Sequence, residues 1–445
     1  MRILVAAPAF PSAAHPFAGI FSAAIAATLR DLGNDVVMLA PRPFAPPGIT
    51  RFRRWRHYGG IEKLGTYDGV EVHRPSTIVI PGFCQAFWAD WAAWFGSKRY
   101  VGALHRKAAF DTVLGLDLGG AGGLAWRLGK TLGVPAAGWA FGSEVRVDAS
   151  TDHGRSVSAA INQLDIVFYQ SAELRECASD LVGRDLGAGP DAQRHRVLPH
   201  GIRQDSAASP TASTSSSSTS SSSSASTSAP ELSNPSPSLR ESWGVAPDQR
   251  IILSLGRLLR SKGVFELLDA FEAIASEKRD VMLVVIGGLP PRDDTEEFQR
   301  AIEARGLGKR VLVKPPIDPT LVQSALRSAD VFAFTSYLEG MPNVVLEALF
   351  AEVPIVAFDI PPLREADPDA SALALVAKGD AHALRVEICR AMDDSSERSR
   401  RTRAGALLVR ERFDMRRNLG SALDIINGRP KPAQRASGAS LPAGR

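Results

Sequence analysis

At 445 residues the chain exceeds what one ordinary hydrophobic core organises, so two domains are the natural reading. A net charge of +4 over that length argues against a dedicated nucleic-acid binder. The three cysteines, Cys84, Cys177 and Cys389, lie far apart with no ligand spacing, which argues against a disulfide framework or a structural zinc site and for a reducing compartment.

The chain opens on an apolar stretch, residues 3–7, that is too short for a signal peptide and is interrupted by Pro8 and Pro11. It reads as a buried first strand. The loop PAFPSAAHPFAG and the helical segment IFSAAIAATLRDLG follow, with Gly33 at the helix end, and DVVMLAP reads as a second strand. Such a β-loop-α-β unit predicts a parallel sheet covered by helices. RFRRWRHY, residues 51–58, interleaves cations and aromatics; it suits either a solvated loop or a grip on anionic lipid headgroups or a lipid-linked acceptor. FCQAFWADWAAWFG, residues 83–96, spaces Trp88, Trp91 and Trp94 along one helical face, a pattern expected of packing within the core or at a domain interface, with a membrane wedge as the alternative. FDTVLGL, VPAAGWAF, LDIVFYQS and RVLPHGI continue the strand series. No apolar run reaches membrane-spanning length, so the protein is expected to be cytoplasmic, with at most peripheral contact at the inner face of the membrane.

Between two of these strands GAGGLA, residues 120–125, matches a dinucleotide fingerprint, with Glu144 about twenty residues on. It raises an NAD-dependent oxidoreductase as a rival function. The motif belongs in a first βαβ unit, however, and here it stands in the middle of its half.

From 206 to 238 the chain is nearly all Ser, Thr, Ala and Pro, a composition expected to stay disordered as a linker. The α/β alternation then resumes through RIILSLGRL, GVFELLDAFEAIAS, VMLVVIGG, VLVKPP, DVFAFTS, VVLEALFAE and PIVAFD. The fold class expected is α/β, two Rossmann-like domains facing across a cleft. Residues 1–203 form the first domain, 204–242 the Ser-rich linker and 243–412 the second, with ligands bound at the C-terminal ends of the strands.

EGMPNVVLEALF, residues 339–350, sits just past such a strand end. Pro342 suits the first position of a helix, which sets Asn343 and Glu347 one turn apart on one face. Gly340 would let the backbone approach a ligand, and the free N–H groups of the Met341-Pro342-Asn343-Val344 turn would make an anion site. Glu339 and Glu347 on either side would accept from hydroxyls. A phosphate flanked by hydroxylated rings, a nucleotide sugar, fits both demands. After IILSL, Gly256-Arg257 and Lys262-Gly263 put two cations at the same sheet edge, suited to a diphosphate.

These residues resemble the family-4 retaining glycosyltransferases of GT-B fold, glycosyl transferases group 1. The resemblance is dense over 245–390 and thin over 45–140. It implies that Arg257 and Lys262 hold the donor diphosphate, Glu347 the ribose, and Glu339 the donor sugar near its reacting face. Gly340 to Val344 would give backbone donors, with Gly19 facing the phosphates. It also implies sugar transfer from a UDP- or GDP-linked donor to a glycan or lipid-linked hydroxyl in polysaccharide or glycolipid synthesis, with retained configuration, no metal and no other cofactor. A C-terminal helix, about 413–428, would return to the first domain, ahead of a loose tail, 429–445. A catalytically silent nucleotide-sugar-binding relative is the alternative. Asp367-Pro368-Asp369 imitates a metal-binding Asp-x-Asp but reads as a surface turn. Two departures stand out. Phe141 occupies the place of a His that many members set beside the donor sugar, leaving His15 as a candidate stand-in. Lys314-Pro315-Pro316 replaces an expected Gly, leaving the choice of base open.

Overall fold

A computed structural model of the chain describes residues 1–16, 18–44, 60–78, 87–204, 239–288 and 293–428. The basic-aromatic segment 51–58, most of the Ser-rich tract and the tail lie outside the described residues, as do Cys84 and the side chain of Trp88.

Two sheets carry the fold. The first has eight strands; in spatial order they are His195–Val197, Ile166–Tyr169, Ala136–Ala140, Thr112–Leu116, Arg2–Ala6, Asp35–Leu39, Val70–His73 and Leu64–Tyr67. All neighbours pair in parallel except the last, which forms an antiparallel hairpin turning at Asp68-Gly69, both at positive φ. The second has six parallel strands: Val311–Lys314, Val281–Ile286, Arg250–Leu255, Val331–Phe334, Ile355–Phe358 and Leu373–Val376. Their continuous apolar runs are buried on both faces, because each sheet lies between helix layers. Helix Val264–Glu277 shows how: Val264, Leu267, Leu268, Phe271 and Ile274 recur at helical spacing and all are buried in one cluster.

The chain passes between the domains beside itself. Ile202 donates to Phe413 O at 2.9 Å and accepts from the Met415 N–H at 3.0 Å. Asn418 Nδ2 ties the same junction, donating to Pro199 O and Arg412 O, each at 2.9 Å. Helix Met415–Asn427 then lays Met415, Leu419, Ala422, Leu423 and Ile426 into the first domain's core, next to helix Ile20–Asp31. A short helix, Leu239–Ser242, falls within the stretch assigned to the linker; Arg240 fastens it to Asp330 at 2.9 Å and to Gln249 O at 2.8 Å. That contact ties residues 239–242 to the second domain, just ahead of the boundary at 243 read from the sequence.

Trp91 and Trp94 stand on helix Phe87–Lys107, rings edge to face at 5.3 Å, and pack against helix Gly123–Leu132 within the first domain. Trp94 donates to Thr131 Oγ1 at 3.1 Å, and the Arg127 guanidinium covers Trp91. Neither residue lies at the junction of the domains.

Candidate functional site

The C-terminal strand ends of the two sheets face each other across a cavity of about 440 Å³. Gly256, Arg257, Lys262, Glu339, Met341, Pro342, Asn343, Val344 and Glu347 line it from the second domain; Ile20, Phe21, Phe141, Gln170 and His200 line it from the first. Of the residues singled out in the sequence, Gly19 and Gly340 do not line the cavity. Each has a packing role instead. A Cβ on Gly19, which caps helix Ile20–Asp31 at φ 68°, would collide with the Ala9 carbonyl. A Cβ on Gly340 would collide with the Phe141 carbonyl. Gly340 therefore lets the two domains approach one another, a role different from the close approach to ligand read from the sequence.

Local geometry explains how the two loops of the second domain meet. Gly263 sits at φ 64° against the Thr335 carbonyl, where no side chain fits. Thr335 Oγ1 donates to Lys262 O at 2.8 Å, and the Tyr337 N–H to Ser261 O at 3.1 Å. These bonds fasten the Arg257–Lys262 loop to the strand end that precedes Glu339. Lys262 Nζ consequently forms an ion pair with Glu339 Oε1, which also accepts from Ser336 Oγ at 2.9 Å. Arg257 remains exposed and has no ion-pair partner among the described residues. Arg146, itself paired with Glu173, donates to Glu339 O at 2.8 Å across the junction. A second interdomain bond runs from the Ala172 N–H to Glu365 Oε2 at 2.7 Å.

Helix Asn343–Phe350 begins one residue later than the sequence suggests, with Pro342 as its cap at ψ 103°. The first-turn N–H groups of Asn343 and Val344, unpaired within the helix, stand at the cavity wall. Glu347, one turn on, has no hydrogen-bond partner for its carboxyl among the described residues; burial pushes its pKa from 4.5 up to about 7. Asn343 Oδ1 and Gln323 Oε1 are buried acceptors without partners among the described residues. Both line a smaller cavity of about 120 Å³ that shares Glu347 with the cleft. This wall is rich in acceptors and suits a ligand offering O–H and N–H groups.

Three other sequence features have defined structural settings. Asp367-Pro368-Asp369 does open an exposed turn, closed by the Ala370 N–H donating to Asp367 O at 3.1 Å, but the Asp367 side chain is turned inward: the residue is 3 % exposed, and its carboxylate accepts from the Ser371, Ala372 and Leu373 N–H groups at 2.8–3.0 Å. Its oxygens are occupied in shaping the backbone, which also accounts for it without a metal. His15 lies in the tight Ser12–His15 turn and lines a separate cavity of about 190 Å³, so it does not stand in for the missing His. Two of the three glycines of GAGGLA are explained by close packing. A Cβ on Gly123 would strike the Asp90 carboxylate, and one on Gly122 would crowd Leu118. Glu144 is engaged by the Phe141 and Gly142 N–H groups.

Sequence reasoning missed Phe21, Gln170, His200 and Ser336 in the cleft and Arg146 beneath it. Only HGI, residues 200–202, offered a signal: a polar residue and a glycine directly after a strand.

Residues 236–407 match the family model described as Glycosyl transferases group 1. The chain is 26% identical over 363 residues, 81% of each chain, to the putative teichuronic acid biosynthesis glycosyltransferase TuaC of Bacillus subtilis (strain 168). It is 31% identical over 255 residues to a D-inositol 3-phosphate glycosyltransferase of Xylanimonas cellulosilytica, spanning 57% of this chain and 55% of that one. Among solved structures, the sucrose-phosphate synthase of Thermosynechococcus elongatus superposes with a TM-score of 0.69 at 17% identity, covering 95% of this chain and 98% of that one. Anabaena Alr3699/HepE in complex with UDP and glucose gives 0.65 at 17%, covering 95% and 99%. The chain therefore has the two-domain GT-B fold, and its second domain carries the match to glycosyl transferases group 1.

Proposed function

We propose that the protein is a retaining glycosyltransferase that moves a sugar from a nucleoside-diphosphate donor to a hydroxyl acceptor in the synthesis of a surface polysaccharide or glycolipid. One observation carries the reading: Arg257, Lys262, the N-terminus of helix Asn343–Phe350 and the two carboxyls Glu339 and Glu347 line a single cleft. Relatives named for teichuronic acid, capsular polysaccharide and phosphatidyl-inositol mannoside chemistry support the acceptor class.

In this account the diphosphate lies against Arg257, Lys262 and the helix N–H groups. Glu347 and its neighbouring acceptors take the ribose hydroxyls and the base. A diphosphate drawing on Lys262 frees Glu339 from its ion pair to accept from the sugar. The bond from the anomeric carbon to the phosphate oxygen breaks as the acceptor oxygen bonds to the same face. The acceptor's proton passes to the leaving phosphate. Arg257 and Lys262 stabilise the charge gathered there, so the reaction is expected to run without a metal.

Transfer assayed with UDP- and GDP-sugars on Lys262→Ala and Glu339→Gln tests the assignment. Each variant is expected to fold and to lose about 10²-fold or more in rate. Wild-type turnover in either removes these residues from the site. Undiminished wild-type turnover in excess EDTA is expected, and the product's anomeric configuration, read by NMR, should match the donor's.

A further inference from the structure

The first domain's wall of the cleft carries two polar side chains, Gln170 and His200. Gln170 follows strand Ile166–Tyr169 and His200 follows the neighbouring strand His195–Val197, so both stand at the same edge of the sheet. Gln170 is 1 % exposed and His200 3 %.

Their hydrogen-bonding roles are set by what already holds them. The His200 N–H donates to Gln170 Oε1 at 3.1 Å. With its oxygen occupied, the amide has its Nε2 left over, a buried donor with no partner among the described residues. The imidazole Nδ1 lies 2.6 Å from the Gly201 carbonyl oxygen, which can only accept; Nδ1 therefore bears the proton and Nε2 the lone pair. The rings of Phe141 and Trp139 meet the imidazole edge to face at 5.5 and 6.3 Å, fixing its plane. Burial lowers the His200 pKa to about 4, so the ring is neutral at physiological pH.

A neutral acceptor and a neutral donor on one wall select among ligand groups. A phosphate oxygen would satisfy the amide but repel the imidazole lone pair. An ammonium would do the reverse. A hydroxyl both accepts and donates, and satisfies both. The nucleotide end of the donor is already assigned to the second domain, and the sugar joined to its diphosphate is the part of the donor that extends toward the first.

We propose that Gln170 and His200 form a hydroxyl-reading pair for the transferred sugar, with Gln170 Nε2 donating to the sugar's hydroxyls and His200 Nε2 accepting from them. The inference rests on the nucleotide-sugar reading. It makes the two residues determinants of which sugar is accepted. His200 acts here by holding a hydroxyl, in the neighbourhood that the resemblance gives to the His replaced by Phe141.

The experiment compares wild type with Gln170→Met, which keeps the side-chain length, and His200→Asn, which keeps a short N–H near the Gly201 carbonyl. Calorimetric affinity is measured for UDP, GDP and a panel of their hexose conjugates, with Tm as the folding control. In wild type one conjugate is expected to bind more tightly than its free nucleotide. In each variant that gain should fall about tenfold, the nucleotide's own affinity staying within about twofold. A gain undiminished in both variants overturns the pair. So does equal weakening of nucleotide and conjugate, the mark of a packing role, or a wild type that binds nucleotide and gains nothing from any hexose. A wild type that binds no nucleotide overturns the nucleotide-sugar reading, and this inference with it.

Discussion

Glu347 carries a carboxyl that burial holds at about 7, above its ordinary 4.5. The folded protein therefore keeps this proton over a range where the unfolded chain has lost it. The sign follows: this group costs the fold nothing at low pH, and its penalty grows as pH rises from 4.5 through about 7. Glu347→Gln, which cannot ionise, is thus expected to raise Tm at pH 8 more than at pH 5; equal shifts at both would show that the carboxyl is not desolvated. Ligand hydroxyls donate to the carboxylate and favour it, so binding should expel the proton. Nucleotide affinity is expected to rise with pH across roughly 6 to 8 and then level off, and Glu347→Gln should flatten the profile. Asp367 supplies a second case. Asp367→Ala strands three backbone donors and should cost about 2–4 kcal/mol in denaturant unfolding. Activity per folded molecule should be unchanged; its loss would point to a role in the site. Neither environment was legible in the sequence, because burial and partners come from residues remote in the chain.

Among the elements, the two βα loops that meet at the cleft were legible and the device that joins them was not. Their strands are long apolar runs, and their glycines, cations and carboxylates follow at fixed offsets. The contact of Gly263 with the Thr335 carbonyl, which brings Lys262 to Glu339, needs three-dimensional neighbours. The hairpin at Asp68-Gly69 is a different kind of miss. An Asp-Gly pair between LGTY and VEVH is a strong short-range turn signal, and it sets one antiparallel strand at the edge of an otherwise parallel sheet. Gly340→Ala places a methyl against the Phe141 carbonyl at the domain junction, outside either core. Transfer is expected to fall by tenfold or more while Tm changes by only a few degrees. Full activity in this variant would show that the domains need not approach so closely. Gly263→Ala, inside one domain at positive φ, should lower both.

For the molecule as a whole, the sequence conveyed two α/β halves and the composition break between them. The C-terminal helix, expected at about 413–428 from the resemblance alone, spans Met415–Asn427. That helix closes the first domain's core with Met415, Leu419, Ala422 and Ile426, so a chain ending at residue 412 should lose several kcal/mol and fold poorly. A truncated chain with unchanged Tm would contradict this packing. The linked functional claim is that one cleft, shared by both domains, holds a nucleoside diphosphate through Arg257 and Lys262. Calorimetric titration of wild type, Arg257→Ala and Lys262→Ala with UDP and GDP tests it most directly. One nucleotide per wild-type chain is expected, with affinity falling about tenfold to a hundredfold in each variant. Wild-type protein that binds neither nucleotide, or variants that bind as tightly as wild type, would contradict it.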